Sequence, residues 1–389
     1  MSKERTINND LRLKIAILSI SLYVAGNSII SGIVVFMQEA FAISMTSAES
    51  LVTISSVATI VTMFLSERIT RKIGMKKTVL LGLFLVGLSA LIPVFITTYI
   101  AVFISRLLMG AGVGLFNGHS ANYINAFFSG DEASKLHGIR MSTEFIGQMV
   151  LLFVAGLLIK INWPLAFLSY AFAFFIMFNF KRVIPEVAIE ESEDMGRFKF
   201  NKQIIFYVLF AAIMIMNVTA VSVRFPNVAT QSQGPGVDIN LYMIALPMAG
   251  MISGFLFGII NRALREKTIL LGLAIYIITN TTIALVGDNM YIFLLCMVFV
   301  AFSQSLCFPY LFSEVARFIR GSHQRIANNL IFFGCNIGSF LSPFFLKLMN
   351  TILRTESITF CFIGFTVIHI ILLIININEY AKAKRAKNI

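Results

Sequence analysis

Few residues of this chain can do chemistry, and most of them are embedded in apolar sequence. Arg106 is the one charge in the run 99–127. Seven residues into a helix beginning there, it lies about 10 Å along the axis. A guanidinium at that depth either acts through its charge on an anionic group or a nearby acid, or bonds the carbonyls of a neighbouring helix. Arg140 and Glu144 stand one helical turn apart and share a face, so they can pair. Glu144 reads as the only carboxylate well inside the apolar runs of the first half. It either carries a proton or latches one conformation through that pair. Glu314, with Arg317 three residues on, has the latch spacing too.

Uncharged amides recur at similar depth: Asn27, Gln148, Asn217, Asn280, Gln304 and Asn336. Such groups either bond between helices or line a watery cavity. Asn117, His119, Asn122 and Asn125 form a polar stripe on the inner half of one run. His119 either titrates near neutral pH or is simply packed. No His, Cys or carboxylate stands at metal-ligand spacing, so no metal is expected. Cys296, Cys307, Cys335 and Cys361 each sit in apolar sequence without a CxxC pattern and read as small buried hydrophobes. Neither an activated nucleophile nor clustered His and carboxylates is present, so an enzyme is not expected. The chain lacks Gly-x4-Gly-Lys-Ser/Thr, so ATP drive within it is not expected. No cofactor is expected.

The elements that hold these groups follow from composition. Of 389 residues, 58% are hydrophobic and only 13% charged, against about 25% in ordinary soluble domains. Such a chain cannot clothe itself in polar side chains. A helix needs about 20 apolar residues to cross the hydrocarbon core. Twelve such runs are legible: 12–37, 47–66, 76–96, 99–127, 139–159, 163–180, 203–225, 240–261, 268–287, 290–315, 327–349 and 357–377. The fold class expected is all-α and integral to the membrane, with the lipid bilayer as partner.

The net charge of +12 suggests nucleic acid until the 31 Lys and Arg are placed. With the N-terminus inside, the inner segments carry 26 and the outer segments 3, while Arg106 and Arg224 lie within runs. That asymmetry is the positive-inside pattern. It places both termini in the cytoplasm and leaves no reason to expect nucleic acid. Arg224, near the outer end of its run, is expected to snorkel to the interface.

The chain also repeats itself. Lys77-Thr-Val-Leu-Leu-Gly82-Leu and Lys267-Thr-Ile-Leu-Leu-Gly272-Leu match at an offset of 190 residues, about half the chain. The same offset pairs Asn27 with Asn217, and Arg12 with Lys202. Two parallel six-helix repeats form a transporter architecture with the substrate path at their interface. The expected organisation is a six-helix bundle at 1–181, a cytoplasmic linker at 182–202, and a second bundle with a basic tail at 203–389. Gly250, Gly254 and Gly258, and likewise Gly334 and Gly338, mark close helix contacts.

These features together resemble the major facilitator superfamily over essentially the whole chain. Ile73-Gly74-Met75-Lys76-Lys77 is similar to the second half of that family's signature after the second helix. Glu67 and Arg71 stand where the family has Gly and Asp, so the acidic half is missing or moved to Glu67-Arg68. Arg106-x-x-x-Gly110-x-Gly112-x-Gly114 is similar to the family's fourth-helix signature, often linked to proton coupling. The resemblance implies two pseudo-symmetric six-helix bundles and alternating access. It implies that the helices of Asn27 and Asn217 line the central cavity, and the substrate or cavity candidates are Asn27, Asn217, Asn117, His119, Gln148, Gln304 and Asn336. Coupling or gating falls to Arg106, Glu144, Arg140 and Glu314, and the conformational motif to Gly74, Lys76, Lys77, Gly110, Gly112 and Gly114. The expected protein is a monomer of the cell membrane that moves a small-molecule substrate. A proton-coupled exporter of drug-like or amphipathic metabolites leads. Metabolite uptake and lipid or glycolipid flipping are the alternatives. The fifth helix has Gly147 and Gly156 without the Gly-Pro common in exporters, and the first helix lacks their embedded acid.

Overall fold

The computed structural model describes residues 2–24, 26–186, 202–318 and 322–387, and among them all regular structure is helical. Helices satisfy every interior backbone group within the segment, which is what a chain in hydrocarbon requires. The first half contains α1 (Ser2–Ser19), α2 (Val34–Phe41), α3 (Met45–Thr53), α4 (Ser55–Ile73), α5 (Met75–Phe95), α6 (Tyr99–Phe116), α7 (His119–Phe127), α8 (Gly130–Ile159) and α9 (Phe172–Val183). The second contains α10 (Lys202–Gln233), α11 (Ile239–Met243), α12 (Ala245–Leu264), α13 (Thr268–Val286), α14 (Met290–Phe318), α15 (Ser322–Leu353) and α16 (Ile363–Lys387).

Among the described residues, ten helical segments are long and apolar enough to cross a membrane. One of them, Ile239–Val286, contains the two runs expected at 240–261 and 268–287, joined by the 3-10 turn Arg265–Lys267. The run at 12–37 is not one continuous helix. After α1 the chain tightens into 3-10 segments at Ile20–Tyr23 and Gly26–Ile33 before α2 begins. Serines sit throughout this stretch, and Ser19 Oγ donates to the carbonyl of Ala16 at 2.9 Å. Such back-bonding competes with the helical ladder and bends it. The second span also breaks, at Ile54 between α3 and α4, and the fourth breaks at Asn117-Gly118 between α6 and α7.

The chain divides into two compact units, Met1–Glu193 and Asp194–Ile389. In unit 1, α8 lies along the 3-10 segments of the first span, α4 and α5 both pack on α6, and the Trp163–Ala171 segment with α9 packs on α5. In unit 2, α15 lies along α10, α12 and α13 both pack on α14, and α16 packs on α13. Each unit therefore joins its first span to its fifth, its second and third to its fourth, and its third to its sixth. The repeated Leu-Leu-Gly-Leu serves the same crossing in both. A Cβ on Gly82 would lie 2.8 Å from the Phe116 ring, and one on Gly272 would lie 2.6 Å from Cys307 Sγ. Most of the expected linker at 182–202 lies outside the described residues.

Candidate functional site

Arg106 is wholly buried in α6. Its Nε donates to the carbonyl of Leu51 at 3.3 Å, and Nη2 donates to the carbonyl of Val52 at 2.8 Å and to Ser55 Oγ at 3.0 Å. Nη1 donates to the Tyr170 hydroxyl at 3.0 Å, and that hydroxyl donates to the carbonyl of Gly26 at 2.9 Å. The acceptors sit where they do for a reason. The ladder of the second span is interrupted at Ile54, and Leu51 and Val52 lie in the turn before the break. A guanidinium with five donors in a fixed fork suits carbonyls freed by such a break. One side chain thus ties α6 to the break of the second span, to the sixth span through Tyr170, and onward to the irregular first span.

The glycines of the same stretch explain how the helices come close enough. A Cβ on Gly110 would strike the carbonyl group of Ser55, 2.7 Å from its carbon, and one on Gly114 would lie 2.5 Å from the carbonyl oxygen of Thr59. A Cβ on Gly112 would lie 2.7 Å from the Val86 side chain. Residues two apart on a helix point to opposite sides, so Gly110 and Gly114 admit α4 while Gly112 admits α5. Thr59 Oγ1 donates to the carbonyl of Gly110 at 3.0 Å, and Ser66 Oγ to that of Leu115 at 2.8 Å.

Beyond the Asn117-Gly118 break the polar stripe is split. His119 is buried, Asn117 is half-buried, and Asn122 and Asn125 are exposed. His119 Nε2 meets Thr70 Oγ1 at 3.1 Å and Ser66 Oγ at 3.4 Å. Thr70 Oγ1 donates to Thr78 Oγ1 at 3.2 Å, and Thr78 Oγ1 donates to the carbonyl of Gly74 at 2.9 Å. With those protons committed, the imidazole donates through Nε2 and accepts at Nδ1 from Asn122, 3.4 Å away. His119 is therefore packed among the hydroxyls that hold the Gly74 turn. Gly74 itself has φ 88°, a backbone state that favours glycine. Lys76 is half-buried and Lys77 exposed. Glu67 and Arg71 pair with each other at 2.8 Å on the surface.

Arg140 and Glu144 are paired at 2.7 Å on α8, with side-chain exposures of 20% and 24%. Gln148 is buried one turn further on, beside Gly147, whose Cβ would lie 2.6 Å from the Cα of Leu22. Asn27 falls in the Gly26–Ile33 segment, and its side chain lies outside the described residues. Its repeat mate Asn217 is fully buried and exchanges two hydrogen bonds with Asn280, at 2.7 and 3.2 Å. That pair binds α10 to α13 and takes up both amides. Gln304 and Asn336 are half-buried, and Asn336 Nδ2 donates to the carbonyl of Phe332 at 2.9 Å. Glu314 is buried, while the side chain of Arg317 lies outside the described residues.

Two sequence expectations need correction. Arg224 does not snorkel: α10 runs on to Gln233, and the Arg224 side chain is only 2% exposed. Hydropathy marked the end of the apolar run, whereas the helix continues past it. Glu144 is also not the most enclosed carboxylate of unit 1, because Glu49 in α3 is fully buried. The missed signal was the cap. Ser44 Oγ accepts from the amide of Ser47 at 3.2 Å, so the helix starts early and Glu49 already lies in its second turn. The small-residue faces divide as well. Added Cβ atoms on Gly334 and Gly338 would meet Val208 and Ala212 of α10, but those on Gly254 and Gly258 would face open space. Among the described residues no three His, Cys, Asp or Glu are grouped to hold a metal ion.

Comparison with known proteins places this architecture. No curated protein matches the chain in sequence. Among solved structures, the inward-open xylose transporter XylE from E. coli is similar at 16% identity and a TM-score of 0.73, covering 94% of each chain. The nucleoside transporter NupG is similar at 12% identity and 0.76, over 95% of this chain and 99% of that one. The POT family transporter PepTSo is similar at 11% and 0.77, over 95% and 98%. At such identities the likeness is one of fold. A family model described as Major Facilitator Superfamily matches residues 16–343. The chain belongs to the major facilitator superfamily of membrane transporters.

Proposed function

We propose that the protein is a proton-coupled exporter of drug-like or amphipathic metabolites, working as a monomer by alternating access between the two units. Its site is the cell membrane, with both termini in the cytoplasm, as the 26-to-3 division of basic residues supports. The observation that carries the coupling role is the Arg140–Glu144 pair at 2.7 Å, with Glu144 still 24% exposed. A carboxylate that touches both a partner cation and solvent can exchange its proton and release the cation when it does. Arg106 is a positioning residue in this reading: its donors are spent on holding α6, the break of the second span and Tyr170 in register. Gln304, Asn336 and Asn117, all half-buried amides, are the polar groups proposed to meet substrate. Uptake by symport is the second reading, and solved structures of similar fold include a D-xylose–proton symporter.

Everted membrane vesicles with an imposed proton gradient test both. Gradient-driven accumulation of amphipathic cations or neutral drugs supports export, and accumulation of a sugar or nucleoside in right-side-out vesicles supports uptake. Glu144→Gln is expected to abolish coupled flux while leaving exchange across the membrane intact. Wild-type coupling in that variant would reduce the pair to a latch.

A further inference from the structure

Among the buried polar atoms of unit 2 that lack a hydrogen-bond partner, three stand on neighbouring helices. The Tyr276 hydroxyl on α13, Ser303 Oγ on α14 and His369 Nε2 on α16 have no hydrogen-bond partner, and all three residues are 0% exposed. They lie on α13 and on the two helices packed against it, α14 and α16. The rings of Tyr276 and His369 stack with centroids 4.5 Å apart and planes 19° from parallel. Ser303 lies on the α14 face that crosses α13 at Gly272, one turn before Tyr276, where its carbonyl oxygen would lie 3.4 Å from an added Cβ.

The protonation of the imidazole is fixed locally. His369 Nδ1 lies 2.6 Å from the carbonyl of Phe365, an acceptor only, so Nδ1 carries the proton. Nε2 is then a bare acceptor. It cannot take the Tyr276 proton directly, because both hydrogen-bonding directions lie in the ring planes. Stacked rings set those directions side by side, not head to head. Ser303 departs from local habit too. Ser305 and Ser342 in helices of this unit bond the carbonyls of Gly250 and Met216 on neighbouring helices, while Ser253 and Thr279 bond the carbonyl four residues back, at 2.6 and 2.8 Å. Ser303 makes neither kind of bond.

We propose that a water molecule is bound within unit 2 between α13, α14 and α16, joining the Tyr276 hydroxyl, His369 Nε2 and Ser303 Oγ. Buried waters typically make about three hydrogen bonds to groups that otherwise lack partners, and three such groups stand here on α13 and the two helices packed against it. The water extends a polar seam that begins at the Asn217–Asn280 pair. Asn280 Nδ2 also donates to the carbonyl of Tyr276 at 2.8 Å, one helical turn away.

The test uses the purified full chain and reads unfolding, not transport. Tyr276→Phe and His369→Phe each keep a ring in the stack and remove one partner of the water. Each is expected to lower the unfolding midpoint by about 1–4 °C. The double variant should fall little further, because the water is already lost. His369→Phe also loses the Nδ1 bond to Phe365, so Tyr276→Phe decides: a midpoint unchanged or raised in that variant would mean that the ring tips are dry, and would overturn the proposal. Fully additive falls would place the two atoms on separate partners and would overturn it equally. Should a variant fail to fold, wild-type density decides. A peak within hydrogen-bond distance of both Nε2 and the phenol oxygen is expected, and its absence from a map that resolves other buried waters would refute the site.

Discussion

Gly110→Ala tests whether Arg106 works by contact with the broken second span. A Cβ at 110 would lie 2.7 Å from the carbonyl carbon and 2.9 Å from the Cα of Ser55, all backbone. Ordinary contact begins near 3.4 Å, so α6 and the second span must part by at least 0.7 Å. That movement takes the Nη2 bond to Val52 from 2.8 Å to the limit of hydrogen bonding, and weakens the Nε bond to Leu51, already 3.3 Å. Overpacking costs about 1–3 kcal/mol, and a bond lost from a buried charged donor about 1.5–3 kcal/mol. The expected loss is therefore about 3–5 kcal/mol, read as a midpoint fall of roughly 4–6 °C in thermal unfolding of the detergent-purified protein. Gly118→Ala is the control, since nothing lies within 4 Å of its added Cβ. Equal midpoints for the two variants would show that the glycine contact does not hold Arg106 in place.

Arg106→Lys keeps the charge but offers three donors from one point, where the guanidinium serves Leu51, Val52, Ser55 and Tyr170. A loss of about 2–4 kcal/mol is expected in denaturant titration, and Tyr170→Phe should couple to it in a double-mutant cycle. Asn217→Leu strands the buried Asn280 amide and should destabilise unit 2 by about 1–3 kcal/mol. Adding Asn280→Leu should recover part of that, since apolar packing replaces both partners; no recovery would argue against the reciprocal pair. Arg265 has φ 49° and ψ −120°, a backbone state that L side chains rarely adopt and that costs about 1–3 kcal/mol. Arg265→Gly should therefore leave stability unchanged or raise it, whereas Gly74→Ala, at φ 88°, should lower it.

The sequence alone determined the class of protein, the position of most spans and the half-chain repeat. Hydropathy is a sum along the chain, and crossing a bilayer depends on that sum. It also found the glycines at 82 and 272 that serve one crossing in both units, because a repeated fold repeats its tightest contact. The partner of each embedded polar group was not legible, since it lies on another helix, at an azimuth that depends on packing. Arg106 had two readings until Leu51, Val52 and Tyr170 were seen around it. Asn217 was a candidate to face substrate until Asn280 was found across from it, and Arg224 was set at an interface that its helix outruns. His119 shares α7 with Asn122 and Asn125, but it is buried against Ser66 and Thr70 while those two amides are exposed. A window of sequence fixes how much of a helix is apolar. Only the tertiary structure decides which face its few polar atoms share, because that is set by how closely neighbouring backbones approach.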